Sequence, residues 1–168
     1  MELKRAYIGI GANLGNRRRN CLMALELLKE QPEIELGAIS KFYETEPVEV
    51  SSTLFFVNAV AEVKTSLTPH ALLDLLLKTE QKLGRDRSRG PDREIDLDLL
   101  YYEGAETDEG NLILPHPRIS ERRFVLAPWA EIAPDLAIPT LKKTVLMLLN
   151  ELPKNGPSIM VLELGAWR

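Results

Sequence analysis

A short apolar run over 5–11 ("RAYIGIG"), closed by glycine, reads as a strand. Over 17–31 the pattern changes. Cys21, Leu22, Leu25 and Leu28 recur at helical spacing, and Pro32 closes the run. A second strand is predicted over 33–45 and a third over 54–65, the latter rich in Val and Phe. Between them, 46–53 ("EPVEVSST") has no period and reads as a loop. Thr68 as N-cap and Pro69 at the first helical position open a helix that Gly84 ends. Residues 85–94 read as a basic loop, 95–102 as a strand and 103–111 as a polar turn. A short helix is expected near 120–127 with Ser120 as its cap, then a helix over 140–152 and a final strand over 158–164.

The order β-α-β-β-α-β is that of a split βαβ, the ferredoxin-like arrangement. It implies an α+β sandwich, an antiparallel sheet with helices packed on one face. At 168 residues the chain suits a single domain over 1–168 with room for a real core. Such a fold hosts many activities, so function must come from side chains. The net charge of −4 argues against a general nucleic-acid surface. A lone cysteine, Cys21, rules out an internal disulfide, and its helical setting suits a packed thiol. No apolar run is long enough for a membrane span, and the charged N-terminus makes a poor signal peptide. A cytoplasmic protein without membrane or nucleic-acid partners is expected.

One strand breaks the ordinary pattern. In "REIDLDLLYY" (93–102), Ile95, Leu97, Leu99 and Tyr101 alternate with Asp96, Asp98 and Leu100. Both aspartates therefore share a face, roughly 6.5 Å apart at two residues of strand rise. Like charges held there repel and lose hydration. Just ahead, Lys82, Arg85, Arg87, Arg89 and Arg93 outnumber Asp86, Asp92 and Glu94. Alone, that loop is either a solvated charged surface or a phosphate clamp, since arginine captures phosphate oxygens bidentately. Alone, the pair is either an edge strand blunted by charge or a set of hard oxygen ligands for Mg²⁺. Adjacency favours the second reading of each. Mg²⁺ on carboxylates beside arginines is the equipment of phosphoryl transfer.

Other segments signal less. Gly9, Gly11 and Gly15 fall one residue off the dinucleotide fingerprint. The turn 11–15 is either a plain strand-to-helix connection or an anion site helped by Arg17, Arg18 and Arg19. His116 is held between Pro115 and Pro117, and Arg118, Arg122 and Arg123 after it add anion-binding capacity. His70, in the first turn of a helix, is expected at the surface. Phe124 is either core or a stacking face. Asn58 shares a strand face with Phe56; it is either a satisfied structural amide or the reader of a heterocycle's edge.

Read in order, "YIGIGANLGNR", "FYETEPV", "FVNAVAEVKT", "EQKLGRDR", "REIDLDLL" and "LPHPRISERRFVLAPWAEIAP" resemble the motifs of the 6-hydroxymethyl-7,8-dihydropterin pyrophosphokinase family of folate biosynthesis. The resemblance implies transfer of pyrophosphate from ATP to the pterin hydroxymethyl group, releasing AMP. It implies that Asp96 and Asp98 hold two Mg²⁺ ions with ATP, and that they are catalytic together with Arg85 and Arg93. Arg87, Arg93, His116 and Arg122 would bind ATP, with Arg85, Arg87 and Arg93 on a mobile loop. Phe56 and Phe124 would sandwich the pterin, Asn58 would read its edge, and backbone groups around Thr45 and Val48 would supply further hydrogen bonds. A monomer is expected. Glu80 falls on a motif position without an assigned role.

This sequence departs from the family pattern at two places. The loop "SRGPD" (88–92) lacks the Trp that many members carry, leaving open which of Arg87 and Arg89 meets phosphate, and Pro117 stands where some members have Tyr. The alternative reading is another Mg²⁺-dependent phosphoryl or nucleotidyl transferase, which has no need of Phe56, Asn58 and Phe124 together. A non-catalytic RNA-binding module would need aromatic signatures and a basic surface, and the sequence has neither.

Overall fold

The computed structural model describes residues 2–86, 88 and 90–162. Its first elements are β1 (Lys4–Ala12), α1 (Arg17–Lys29), β2 (Ile34–Ile39), β3 (Tyr43–Thr45), β4 (Phe56–Thr65), α2 (Pro69–Lys82) and β5 (Asp96–Tyr102). They follow the expected order, with the second strand divided. The hairpin β6 (Thr107–Glu109) and β7 (Leu112–Leu114) comes next, then a 3-10 turn (Ile119–Glu121) and α3 (Arg123–Ile132). The chain continues through the short pair β8 (Ala137–Ile138) and β9 (Lys143–Thr144), α4 (Val145–Glu151) and β10 (Ile159–Val161). The main sheet runs β10-β3-β4-β1-β5, with β2 also on β4, and every pairing in it is antiparallel. The α+β class is as expected.

Strand alternation divides the interior into two cores. On one face, Ala6, Ile8 and Ile10 of β1 and Leu97 and Leu99 of β5 pack against Cys21, Leu25 and Leu28 of α1 and Leu72 and Leu76 of α2. On the other, Tyr7, Val60 and Leu100 meet Leu126 and Trp129 of α3 and Val145 and Leu148 of α4. Helices therefore cover both faces, which corrects the expectation of one. The reason lies in β1, β4 and β5, which carry apolar residues on both sides and need a second cover. Each large side chain so buried contributes about 1.5–3 kcal/mol.

The boundaries depart from the sequence reading where local hydrogen bonds outweigh the period. The strand predicted over 33–45 is interrupted at Ser40, whose Oγ accepts from the Val60 amide (2.9 Å) and donates to the Lys41 carbonyl (2.7 Å). Ser120 caps nothing: it sits in the 3-10 turn, and α3 starts at Arg123 and runs to Ile132. The last helix starts at Val145 rather than 140, because 137–144 forms β8–β9 and Thr144 then caps it through the Met147 amide (3.1 Å). The stretch 103–111 holds half of a hairpin, turned through Gly110 at φ +62°. Thr68 caps α2 as expected, accepting from the Ala71 amide at 3.2 Å. The final strand spans Ile159–Val161, and 163–164 lie outside the described residues. No helix among the described residues is long and apolar enough to cross a membrane.

A bulge in β5 aims the site. Ile8 pairs with Leu99 but Tyr7 pairs with Tyr101, so Leu100 is an extra residue. Tyr101 thus leaves the Ile95–Leu97–Leu99 side, against the simple alternation, and packs its ring edge on Tyr7 with centroids 5.9 Å apart. His116 donates its amide to the Leu100 carbonyl at the same bulge (3.1 Å).

Candidate functional site

The floor of the site is built from the register of β1 against β5. Gly11 lies opposite Asp96 and Gly9 opposite Asp98. Ile95, Leu97 and Leu99 are buried in the first core, so both aspartates face the other side, as the period requires. Gly11 belongs to the strand rather than to a turn, which corrects the reading of 11–15 as one loop. A Cβ on Gly11 would lie 2.6 Å from Asn58 Oδ1. That glycine is there to admit the amide. Replacing it by Ala should displace the Asn58 amide by about 1 Å and cost roughly a hundredfold in kcat/KM. Unchanged steady-state kinetics for that variant would contradict the role.

The turn after β1 is tied to the basic loop. The amides of Asn13 and Leu14 both donate to the Arg93 carbonyl (3.0 and 3.1 Å). Asn13 Oδ1 accepts from the Arg93 amide (2.7 Å), and Asn13 Nδ2 donates to Asp92 (2.9 Å). So pinned, the loop delivers two guanidinium groups to one carboxylate. Arg85 Nη1 lies 3.1 Å from Asp96 Oδ1, and Arg93 Nη1 lies 3.1 Å from Asp96 Oδ2. Arg122 Nη1 stands 3.8 Å from Asp98 Oδ2. Arg87 and Arg89 lie outside the described residues.

The opposite wall is aromatic. Phe56 carries the Arg93 guanidinium over its ring and Phe124 carries that of Arg122, each 5.6 Å from the centroid. Asn58 Nδ2 donates to Thr45 Oγ1 (2.6 Å), which fixes the amide's orientation. One cavity of about 310 Å³ is lined by Thr45, Val48, Phe56, Asn58, Arg85, Arg93, Asp96, Asp98, His116, Arg122 and Phe124. Apart from Arg87, every residue for which the family resemblance implies a binding or catalytic role meets there, whereas Arg17, Arg18, Arg19, Arg118 and Arg123 do not line it. His70, by contrast, is exposed on α2.

Charge is unevenly tolerated in this cavity. Burial, and then the neighbouring Asp96 carboxylate, push the Asp98 carboxyl up to about 7, against the smaller opposing pull of Arg122 and Arg93. Burial and Arg122 push His116 down to about 4, so its imidazole is neutral at pH 7. The Arg118 amide faces its Nδ1 and Arg122 Nη1 faces its Nε2, both at 3.3 Å. The oxygens of Asp96 and Asp98 are hard donors suited to Mg²⁺. Among the described residues no cluster of three or more His, Cys, Asp or Glu side chains forms a self-sufficient metal cage. An ion held by the two aspartates would complete its shell with ligand oxygens and water.

Two residues of the site were not given roles from the sequence. Glu80 is buried at the end of α2 and accepts the Leu97 amide (2.7 Å), directly between the two aspartates. It thereby occupies an outward donor on an edge strand and fixes the aspartates' backbone; its place in "EQKLGR" was the available signal. Glu49 is held by Arg122 and Arg118, and nothing in an aperiodic loop announces such a contact.

Carboxylates, guanidiniums and an aromatic slot around one cavity define a group-transferring enzyme. The family model for 7,8-dihydro-6-hydroxymethylpterin-pyrophosphokinase (HPPK) matches residues 7–134. A 2-amino-4-hydroxy-6-hydroxymethyldihydropteridine pyrophosphokinase of Methylorubrum extorquens is 46% identical over 138 residues, 81% of this chain and 87% of the relative. Its counterpart in Bacillus subtilis is 42% identical over 128 residues, 76% of this chain and 77% of that one. Among solved structures, Plasmodium falciparum HPPK-DHPS with pteroate superposes at a TM-score of 0.73 and 13% identity, over 89% of this chain and 44% of that one. An HPPK-DHPS in complex with substrates gives 0.69 at 14% identity, over 88% of this chain and 43% of that one. At such identities the likeness is one of fold, and this chain spans less than half of those two. The chain belongs to the 7,8-dihydro-6-hydroxymethylpterin-pyrophosphokinase family.

Proposed function

We propose that the cavity transfers pyrophosphate from ATP to the hydroxyl of 6-hydroxymethyl-7,8-dihydropterin, giving AMP and the pterin diphosphate, in folate biosynthesis. The single observation that carries this reading is the joining, in one cavity, of an amide-reading aromatic slot and an arginine-flanked carboxylate pair. A kinase for a simple alcohol would need only the second half. Phe56 and Phe124 stack the flat ring, and Asn58, held by Thr45, pairs with its donor–acceptor edge. Backbone groups around Thr45 and Val48 complete that recognition.

Asp96 and Asp98 line the same cavity as the slot, and in this reading a hydroxymethyl arm on the ring points at them. Arg85, Arg93 and Arg122 neutralise phosphate oxygens there, and Arg87 joins them in the family reading. His116, neutral at pH 7, adds no charge and offers a ring-nitrogen contact to the nucleotide. Asp96 and Asp98 would hold two Mg²⁺ ions with ATP, which supply charge neutralisation and acidify the attacking hydroxyl. The aspartates' own part is to be aligned, which Glu80 supports by holding the Leu97 amide between them. The strand order β5-β1-β4, with β2 and β3 beyond it, supports the ferredoxin-like split βαβ. We read the chain as one monomeric, cytoplasmic domain over 1–168.

The test is to combine protein, ATP, Mg²⁺ and 6-hydroxymethyl-7,8-dihydropterin and follow AMP by chromatography. AMP that requires all four supports the reading. ADP in its place would make this an ordinary kinase. The slot has its own test: Phe124→Ala should weaken pterin binding by about tenfold to a hundredfold, from about 1–3 kcal/mol of ring stacking. ATP binding should change far less. Calorimetry showing equal losses for both ligands would argue against the sandwich.

A further inference from the structure

Arg122, the guanidinium that faces Asp98, is already gripped by a carboxylate of the protein itself. Glu49 accepts from Arg122 Nε through Oε2 (3.0 Å) and from Arg122 Nη2 through Oε1 (2.7 Å). Arg118 Nη1 closes on the same Oε1 at 3.1 Å. A planar carboxylate on a guanidinium fork has the geometry by which arginine takes two phosphate oxygens. The pair is shielded, with side-chain exposures of 14% for Arg122 and 18% for Glu49. Glu49 reaches this position with φ at +65°, a left-handed conformation that non-glycine residues seldom adopt. A backbone held in that state is over-determined by its surroundings, and the double arginine contact supplies the determination.

From this we propose that Glu49 is an internal competitor for the phosphate-binding guanidiniums and thereby sets the affinity for ATP. The inference rests on the ATP reading of the cavity. Phosphate oxygens entering between Asp98 and His116 meet Arg122 Nη1, and a two-oxygen grip on the fork also needs a donor that Glu49 occupies, so only the fraction of molecules with Glu49 released is competent for it. Apparent affinity falls by that fraction. Glu49 also lines the cavity next to Val48. Its release removes the Arg118 and Arg122 contacts of the loop beside Val48, so the phosphate end and the wall of the slot are linked through one side chain. No group is transferred in this step; an ion pair within the protein is exchanged for one with the ligand.

The test is calorimetric, on the whole chain with Mg²⁺ and a non-hydrolysable α,β-methylene ATP. Glu49→Gln is expected to tighten binding roughly tenfold. Glu121→Gln removes a carboxylate that pairs with Arg118 at 3.2 Å and does not line this cavity; it is expected to change affinity less than twofold. Glu49→Gly suits the positive φ, also lacks the carboxylate, and should reproduce the tightening if the glutamine variant folds poorly. In steady state, the KM for ATP should fall in both Glu49 variants while the KM for the pterin moves less. A wild-type protein that binds the analogue, with Glu49 variants that bind it equally or more weakly, overturns the competitor role. Equal tightening in Glu121→Gln overturns it too, since a general charge effect would then suffice. Failure of all forms to bind the nucleotide would instead overturn the ATP reading.

Discussion

Replacing Asp98 by Asn is expected to lower turnover by at least about a thousandfold and, in the metal-free protein, to raise stability. Both effects come from the same geometry. Asp98 is pressed between protein, the Asp96 carboxylate and the floor of the cavity, which lifts its carboxyl to about 7, whereas an unfolded aspartate titrates near 3.9. Between about pH 4 and 7 the unfolded chain has therefore released a proton that the folded chain still holds. Apo stability falls as pH rises through that window and is level above it.

A shift of three units would correspond to about 4 kcal/mol, but the side chain keeps 35% exposure. Solvent screening reduces the effect to about 1–2 kcal/mol, or roughly 3–6 °C in a chain of this size. Asn cannot ionise. Its melting temperature in EDTA should exceed that of the wild type at pH 8, and the gap should close toward pH 4. His116 contributes with the opposite sign, its stability present above pH 6.5 and lost as pH falls toward 4. Being common to both proteins, it cancels in the difference. A variant that melts lower at pH 8 would show that the aspartate pair supports the fold rather than straining it.

Arg93→Ala should reduce kcat by about a thousandfold or more, in the range of an arginine that stabilises a transferring phosphoryl group. Three contacts place this guanidinium: Asp96 Oδ2 at 3.1 Å, the Pro91 carbonyl at 2.8 Å, and the face of Phe56. It thus touches the carboxylate pair and the aromatic slot at once. The backbone of Arg93 remains tied to Asn13 and Leu14 through main-chain atoms that the substitution keeps, so the loop should stay attached. Lysine should recover little, because a single ammonium cannot serve a carboxylate, a carbonyl and a ring face in one plane. Stopped-flow measurement of the chemical step checks this. A fall confined to the KM for ATP would mean that Arg93 binds the ground state and does not act in the transfer.

The site was more legible in the sequence than the fold around it. The period of "IDLDLL" alone set Asp96 and Asp98 on one face, because side-chain direction in a strand is fixed by parity. It failed at Tyr101, where the bulge at Leu100 changes parity without any residue to announce it. The second helical layer was hidden for another reason: α3 and α4 show ordinary amphipathic spacing, and only the doubly apolar strands reveal that both sheet faces need cover. Gly11 looked like the start of a turn because glycine is the usual turn residue. Its reason is tertiary, space for Asn58, and no local rule encodes it. The Glu49–Arg122 contact spans 73 positions in sequence, and nothing in 46–53 marks it.

The central claim concerns which group moves, and ³¹P nuclear magnetic resonance of the running reaction tests it directly. With ATP, Mg²⁺ and 6-hydroxymethyl-7,8-dihydropterin, the account expects the ATP signals to give way, in equal proportion, to the AMP singlet and the two coupled resonances of a diphosphate ester on the pterin. Growth of ADP together with a single monophosphate-ester resonance would contradict it.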